Sequence, residues 1–328
     1  MLGRRVKCFH VLMAGWFFIY LGTGHLRAQE LPPSSIKIVV PYPAGGGTDA
    51  VARLLASNLA TALGTAVIVE NRTGGATIPG TDSVAKAAAD GGTLLLVTDT
   101  FAINDASGQR FPYDAKKDFQ PVVKLVNVPF ILSANAAKTT FKDLHQFVES
   151  AKASPGKLTF GSVGPSSPHE LIMTYFSKRQ GIDVLSIPYR GTAPALQGLV
   201  AGEIDVTFAG ISQSEQFVLD GRIRRLAATS SARATEAPDV RTAQEQGYPE
   251  LTLVTWFGIV APAKVSAAIV ERYYREIEKI MHLPAMKRLV TSIGGEVSVL
   301  SPSGFVNFIE EETERYRNII KEADIKLH

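Results

Sequence analysis

The chain has 328 residues, with 34 basic and 31 acidic side chains, 45% apolar residues and a single cysteine, Cys8. That length gives room for two lobes of ordinary size. Arg4, Arg5, Lys7 and Arg27 fall in the first 28 residues; without that segment 30 basic residues face 31 acidic ones, so a polybasic nucleic-acid or membrane-surface role loses its support, and the loss of Cys8 excludes disulfide and thiol chemistry.

The first 28 residues read as a secretory signal peptide. Three basic residues precede a hydrophobic run from Val11 to Leu21, and Leu26-Arg27-Ala28 offers a cleavage site. The run is too short to span a bilayer, and no later segment is long and apolar enough to do so. The expected location is the periplasm.

Ile36 to Val40 is a β-branched run that predicts a buried strand. Pro41 and Pro43 end it, Gly45-Gly46-Gly47 make a turn, and Thr48 or Asp49 can cap a helix carrying Val51, Leu54, Leu55, Leu59 and Ala62. Such a turn brings free helix-start amides close to a guest and favours a small anion without an Arg. A plain tight connection is the other reading of it. It is not a dinucleotide fingerprint, lacking the third glycine, nor a Walker loop, lacking Gly-Lys-Ser/Thr.

A strand at Val67–Glu70, a second glycine turn at Asn71–Ala76, a helix to Ala89 and a strand at Thr93–Thr98 follow. Strands separated by helices predict a parallel sheet with ligands beyond its carboxyl ends. Residues 99 to 120 read as irregular. Val122 to Leu132 reads as a crossing strand, and Phe141 to Ala153 as a helix with one apolar stripe.

The second series has strands at Leu158–Phe160, Val184–Pro188 and Ile204–Phe208. Its first strand runs into a Gly/Ser-rich turn, Gly161 to His169, at a helix start; a second helix runs from Pro194 to Ala201. Arg225–Thr229 reads as a strand crossing back. A helix near Val265–Met281 and a C-terminal run from Thr291 to Ala323 are expected to pack on the first unit. Two α/β units joined near 122–132 and 225–231, each offering amide donors to a shared cleft, can close on a carboxylate. Charge-assisted hydrogen bonds of roughly 1.5–3 kcal/mol each support micromolar binding, about −8 kcal/mol, without an Arg clamp. Whether Arg72 or Arg190 reaches the guest stays open.

An enzyme reading uses Ser162 or Ser166 as nucleophile with His169 as base, in a secreted serine hydrolase. No GxSxG elbow supports it, and His169 shares the local turn with both serines. His145, His282 and His328 are scattered, so no metal is expected, and no other cofactor either. Asp49 and Asp205 read as caps or loop braces that can hold bound water. Trp256 and Phe257 read as core, with Trp256 also a candidate for the cleft wall.

The combination of Val40-Pro41-Tyr42-Pro43-Ala44-Gly45-Gly46 with Asp49, Val69-Glu70-Asn71-Arg72, Gly161-Ser162 through His169, Pro188-Tyr189-Arg190-Gly191, Gly202-Glu203-Ile204-Asp205 and Trp256-Phe257-Gly258 resembles the substrate-binding receptors of tripartite tricarboxylate transporters, the Bug-type extracytoplasmic solute receptors. The resemblance spans nearly the whole chain after the leader. It implies an α/β, two-lobed type II periplasmic-binding-protein fold, with mainly parallel sheets, two crossing strands and hinge closure. Residues 29–127 and 232–328 would form one lobe and 128–231 the other. It implies a small di-, tricarboxylic or aromatic acid as ligand. Ala44, Gly45, Gly46 and Asp49 would lie in the first binding loop, Gly75 and Ala76 beside the cleft, Ser162, Ser166 and His169 in the second loop, and Asp205 near it. A membrane permease pair or a sensor kinase would be the partner of a monomeric, non-enzymatic receptor. The sequence departs from the family at Arg72-Thr73-Gly74-Gly75-Ala76-Thr77 and at Pro165, both on the expected rim of the cleft.

Overall fold

The structure is a computed structural model that describes residues 34–164 and 167–325. The expected leader, Pro165, Ser166 and His328 lie outside the described residues. The first series is β1 (Ser35–Val40), α1 (Gly47–Leu63), β2 (Ala66–Asn71), α2 (Ile78–Ala85), β3 (Thr93–Thr98) and α3 (Asp99–Ala106). β1 lies between β2 and β3 and runs parallel to both. Ile36, Ile38, Val39 and Val40 are all buried, as a strand covered on both faces requires. α1 buries Val51, Leu55 and Leu59 and ends at Gly64, whose φ of 66° lets its N–H turn back onto Ala60.

β4 (Phe119–Asn135) then runs for 17 residues. After α4 (Leu144–Ala153) the second series follows: β5 (Thr159–Ser162), α5 (Pro168–Gln180), β6 (Leu185–Pro188), α6 (Thr192–Ala201), β7 (Val206–Gly210), α7 (Ile211–Leu219) and β8 (Ile223–Ala228). β5 is parallel to both β6 and β7. The chain closes with β9 (Val254–Pro262), α8 (Ala267–Met281), α9 (Pro284–Ser292), β10 (Glu296–Leu300) and α10 (Pro302–Glu322).

The described residues form one compact unit in which two half-sheets share β4. Up to Pro129, β4 pairs antiparallel with β9, and with β10 on its other side. From Phe130 onward it pairs antiparallel with β7 and β8. Pro129 stands at the changeover, where a residue without an N–H loses nothing to the ladder. Each half-sheet is therefore parallel in its βα series and antiparallel where β4 passes through.

Three sequence readings change, and two elements stand where the sequence assigned none. Residues 99–106 are helical, not irregular: the Thr98 hydroxyl caps α3 by accepting from the Thr100 N–H at 3.3 Å, and burial of Phe101, Ala102, Ile103, Asn104 and Ala106 erases any polar face that would betray the helix. The segment after Phe208 is α7, begun by Gly210. Residues 254–262 form β9, the strand between β3 and β4. The run from Thr291 to Ala323 is broken: Gly294 and Gly295 end α9, β10 pairs with β4, and Ser301 with Pro302 starts α10. β8 does not cross between the half-sheets. It stays on the second half of β4, and the chain returns past Thr229 and Leu253. The C-terminal elements do pack on the first series, α8 against α1 and α10 against α3.

Candidate functional site

All six parallel strands point their carboxyl ends at one cleft of about 790 Å³. It is lined by Pro41–Pro43 after β1, Thr73–Thr77 after β2, Thr98 at the end of β3, Val163 after β5, Gly191 and Thr192 after β6, and Gly210 at the end of β7. In consequence, among the described residues, six helices begin there: α1, α2 and α3 from one half-sheet, α5, α6 and α7 from the other. α3 and α5 are capped by the Thr98 and Ser167 hydroxyls; α1, α2, α6 and α7 have no capping side chain. At α1, α6 and α7 the uncapped start leaves amide donors and the positive end of the dipole facing the cleft; at α2 the Ile78 N–H is taken by the Gly75 carbonyl and Pro79 has none. No Lys or Arg belongs to the lining among the described residues.

In the first turn, Gly47 and Thr48 line the cleft, whereas Ala44, Gly45 and Gly46 are exposed and stand outside it. Gly45 has φ 86° and donates its N–H to Asp49 Oδ2 at 2.9 Å. Arg53 Nε also donates to Asp49 Oδ2 at 2.9 Å, and Asn71 Nδ2 to Oδ1 at 2.8 Å. Burial alone would raise the Asp49 pKa, but these bonds outweigh it and hold the carboxyl below its usual range. Asp49 therefore braces the turn from behind and ties it to the end of β2; it does not line the cleft.

Gly75 and Ala76 are on the cleft wall. Ala76 (φ 49°) and Thr77 (φ 64°) both occupy the left-handed region, a costly choice for residues with a Cβ. The Asn104 amide pins the turn by donating to the Ala76 carbonyl at 2.8 Å.

In the second half, Ser162 is 1% exposed, and its hydroxyl accepts from the Gly164 N–H at 3.3 Å. It does not line the cleft. His169 does, at the start of α5. Its ring stands edge-on to Phe130 at 4.6 Å and to Phe208 at 5.7 Å. Neither ring nitrogen has a hydrogen-bond partner, and burial pushes its pKa down to about 4, so the imidazole is neutral. One donor and one acceptor are left unspent at the cleft wall. Nor does Ser162 reach His169, so that serine has no base; Ser166 lies outside the described residues.

Asp205 is not brought to the cleft. It immediately precedes β7, whose far end is the one that reaches the site. Its carboxylate accepts from the Thr159 N–H at 2.8 Å and hydroxyl at 2.7 Å, and pairs with Lys138 at 3.1 Å. Arg72 and Arg190 are exposed and outside the lining. Trp256 is core: fully buried, it donates Nε1–H to Glu312 at 3.2 Å, and its neighbour Phe257 takes the place on the wall.

The acid of the lining is among the residues that escape sequence reasoning. Asp99 opens α3 and is 2% exposed. It accepts from the Thr255 hydroxyl at 3.0 Å and the Thr100 N–H at 3.1 Å. Burial pushes its pKa up to about 7, with the threonine hydrogen bonds opposing the rise. The only sequence signal is an acid placed directly after an apolar strand.

Two parallel half-sheets joined through a shared strand, with helix starts from both facing one cleft, define a solute-binding protein of the periplasmic-binding-protein kind. The chain belongs to the tripartite tricarboxylate transporter receptor family, TctC, whose sequence model matches residues 51–325. It is 32% identical over 304 residues to Protein BugT of Bordetella pertussis, covering 92% of this chain and 93% of that one. Among solved structures it is similar to R. palustris Rpa4515 with adipate (TM-score 0.79, 28% identity, covering 90% of this chain and 98% of that chain). It is also similar to MatC of Rhodopseudomonas palustris with bound malate (TM-score 0.76, 28% identity, covering 88% and 99%). Among the described residues no helix is long and apolar enough to cross a membrane.

Proposed function

We propose that this protein is a periplasmic, non-catalytic receptor that captures a small carboxylate in the cleft between its half-sheets. Delivery would be to a membrane permease pair of the tripartite tricarboxylate type, or to a sensor kinase. The observation that carries the reading is the convergence of six helix starts, four without a capping side chain, on a cleft whose lining holds no Lys or Arg. Amides and dipoles suffice to hold one carboxylate. The relatives with adipate and malate support a di-acid of this size.

In this reading residues 29–127 with 232–328, and residues 128–231, are the two lobes. The β4 changeover at Pro129 and the return past Thr229 are the hinge. Closure is a population shift, because a ligand reaches donors of both halves only in the shut form. The contacts to test are Gly47, Thr48, Gly75, Ala76 and His169; Ala44–Gly46 would join them only if closure carries that turn inward. Ser162 and Ser166 would shape the second loop.

Thermal-shift titration of the protein against adipate, malate, tricarboxylic and aromatic acids tests the proposal. A ligand at one hundred times its Kd should stabilise by about 2.7 kcal/mol. Silence from every acid would end the carboxylate reading. N-terminal sequencing of the periplasmic fraction tests the cleavage after Ala28.

A further inference from the structure

Asp99 is a buried acid on the cleft wall with no counter-ion of its own. Each side that faces it can be checked. From β9, Thr255 donates a neutral hydroxyl at 3.0 Å. From the end of β3, the neutral Thr98 hydroxyl also bonds to Asp99 and is shared with the Tyr42 hydroxyl at 2.6 Å; Tyr42 faces Asp99 too and is neutral, its pKa raised by burial. From α10 come Glu312, Arg315 and Tyr316. Arg315 is the cation near it among the described residues, and that guanidinium is committed to Glu312, at 2.8 Å through Nε and 3.0 Å through Nη2. The Tyr316 hydroxyl is neutral, its pKa raised far above the ordinary value by burial. Across the cleft His169 is neutral too.

The donors to Asp99, a backbone N–H and the hydroxyls of Thr255 and Thr98, suit an ionised carboxylate, which only accepts. Its place in the first turn of α3 also favours negative charge. Of the carboxylate's roughly four lone-pair sites, these bonds leave one open. Buried charges are ordinarily paired or neutralised, and the open side of this one faces the cavity, where a ligand cation can pair it.

We propose that Asp99 binds a protonated amine of the ligand, so that the cleft selects an ammonium-bearing carboxylate of zero or single negative charge over a plain dicarboxylate. This rests on the carboxylate reading above. The acid group would sit on the uncapped helix starts and the ammonium on Asp99. A plain dianion would instead meet a like charge, or would have to bind with Asp99 protonated. The two cases differ in sign. The ammonium ligand requires ionised Asp99, so its affinity rises with pH and levels off above about 7; the dianion requires a protonated Asp99, so its affinity falls over the same range.

The test is calorimetric titration of the protein with matched pairs: 6-aminohexanoate against adipate, glutamate against glutarate, aspartate against succinate. In at least one pair the amino acid should bind about tenfold or more tightly, and should weaken about tenfold between pH 8 and pH 6. Asp99→Asn should abolish that preference and flatten the pH dependence. The pH series on the unaltered protein holds even if the variant folds poorly. A preference for the plain diacid in every pair, with affinity falling as pH rises, overturns the assignment of Asp99 while leaving the carboxylate receptor intact. Silence from both series removes the carboxylate reading and this inference with it.

Discussion

Thr229 and Phe130 clasp each other where the chain passes between the half-sheets. The Thr229 N–H donates to the Phe130 carbonyl at 2.9 Å, and the Phe130 N–H donates to the Thr229 hydroxyl at 3.1 Å. The same threonine accepts the Leu253 N–H at 3.1 Å through its carbonyl. Thr229 is 1% exposed, so these groups have no water to fall back on. One side chain thus staples the outgoing strand to the returning segment, one residue beyond Pro129.

Thr229→Val keeps the shape and removes the hydroxyl. It leaves the Phe130 N–H without a partner, which costs about 1–3 kcal/mol. Urea unfolding should show that loss. An unchanged midpoint would mean that the staple carries no load.

Asp99→Asn should stabilise the ligand-free protein at neutral to alkaline pH. The folded pKa of about 7 stands above the ordinary 3.8. Below 3.8 the carboxyl is neutral in both states, and the substitution gains nothing. As pH rises from 3.8 to 7 the unfolded chain ionises first, and folding grows progressively dearer. Above 7 the penalty is complete, on the order of 4 kcal/mol by this shift. Melting curves from pH 4 to 8 should show the variant pulling ahead with pH. Parallel curves would mean that Asp99 has a partner after all.

Much of the fold was legible because its signals are local. The β1 run, the glycine turn, the α1 stripe and the Gly/Ser turn before α5 each declare themselves within a dozen residues. The cleft wall was less so. Asp99 and Thr255 are 156 positions apart, and β9, which brings them together, is apolar on both faces and shows no alternation. Asp205 braces a loop, as the sequence suggests, but lies off the cleft: it sits beside a strand of the right series, and only the carboxyl end of such a strand serves the site. Ala44, Gly45 and Gly46 carry the motif, while Gly47 and Thr48, at the helix start they create, face the cavity.

His169→Leu removes two unspent ring nitrogens from a buried, aromatic-lined position. Its folded pKa of about 4 lies below the ordinary 6.5, so the native state loses stability as pH falls from 6.5 toward 4. The variant should therefore resist acid better than the parent. If the ring nitrogens contact ligand, it should also bind an acid ligand about tenfold or more weakly, an apolar group having replaced a hydrogen-bonding one. Better acid resistance with full affinity would assign His169 a packing role alone.

Ala76→Gly relieves a Cβ held at φ 49°. The left-handed penalty of roughly 1–2 kcal/mol exceeds the extra entropy of glycine, so the melting temperature should rise. Ala76→Val should lower it. A fall in both would place the strain elsewhere in the turn.

Amide chemical-shift mapping during titration with a bound acid tests the central claim most directly. Gly47 and Thr48 at the start of α1, and Gly191, Thr192 and Gly210 at the starts of α6 and α7, should all move together and saturate at one stoichiometric equivalent. Shifts confined to one half-sheet, or absent from these helix starts while the acid binds elsewhere, would contradict a carboxylate gripped between the two.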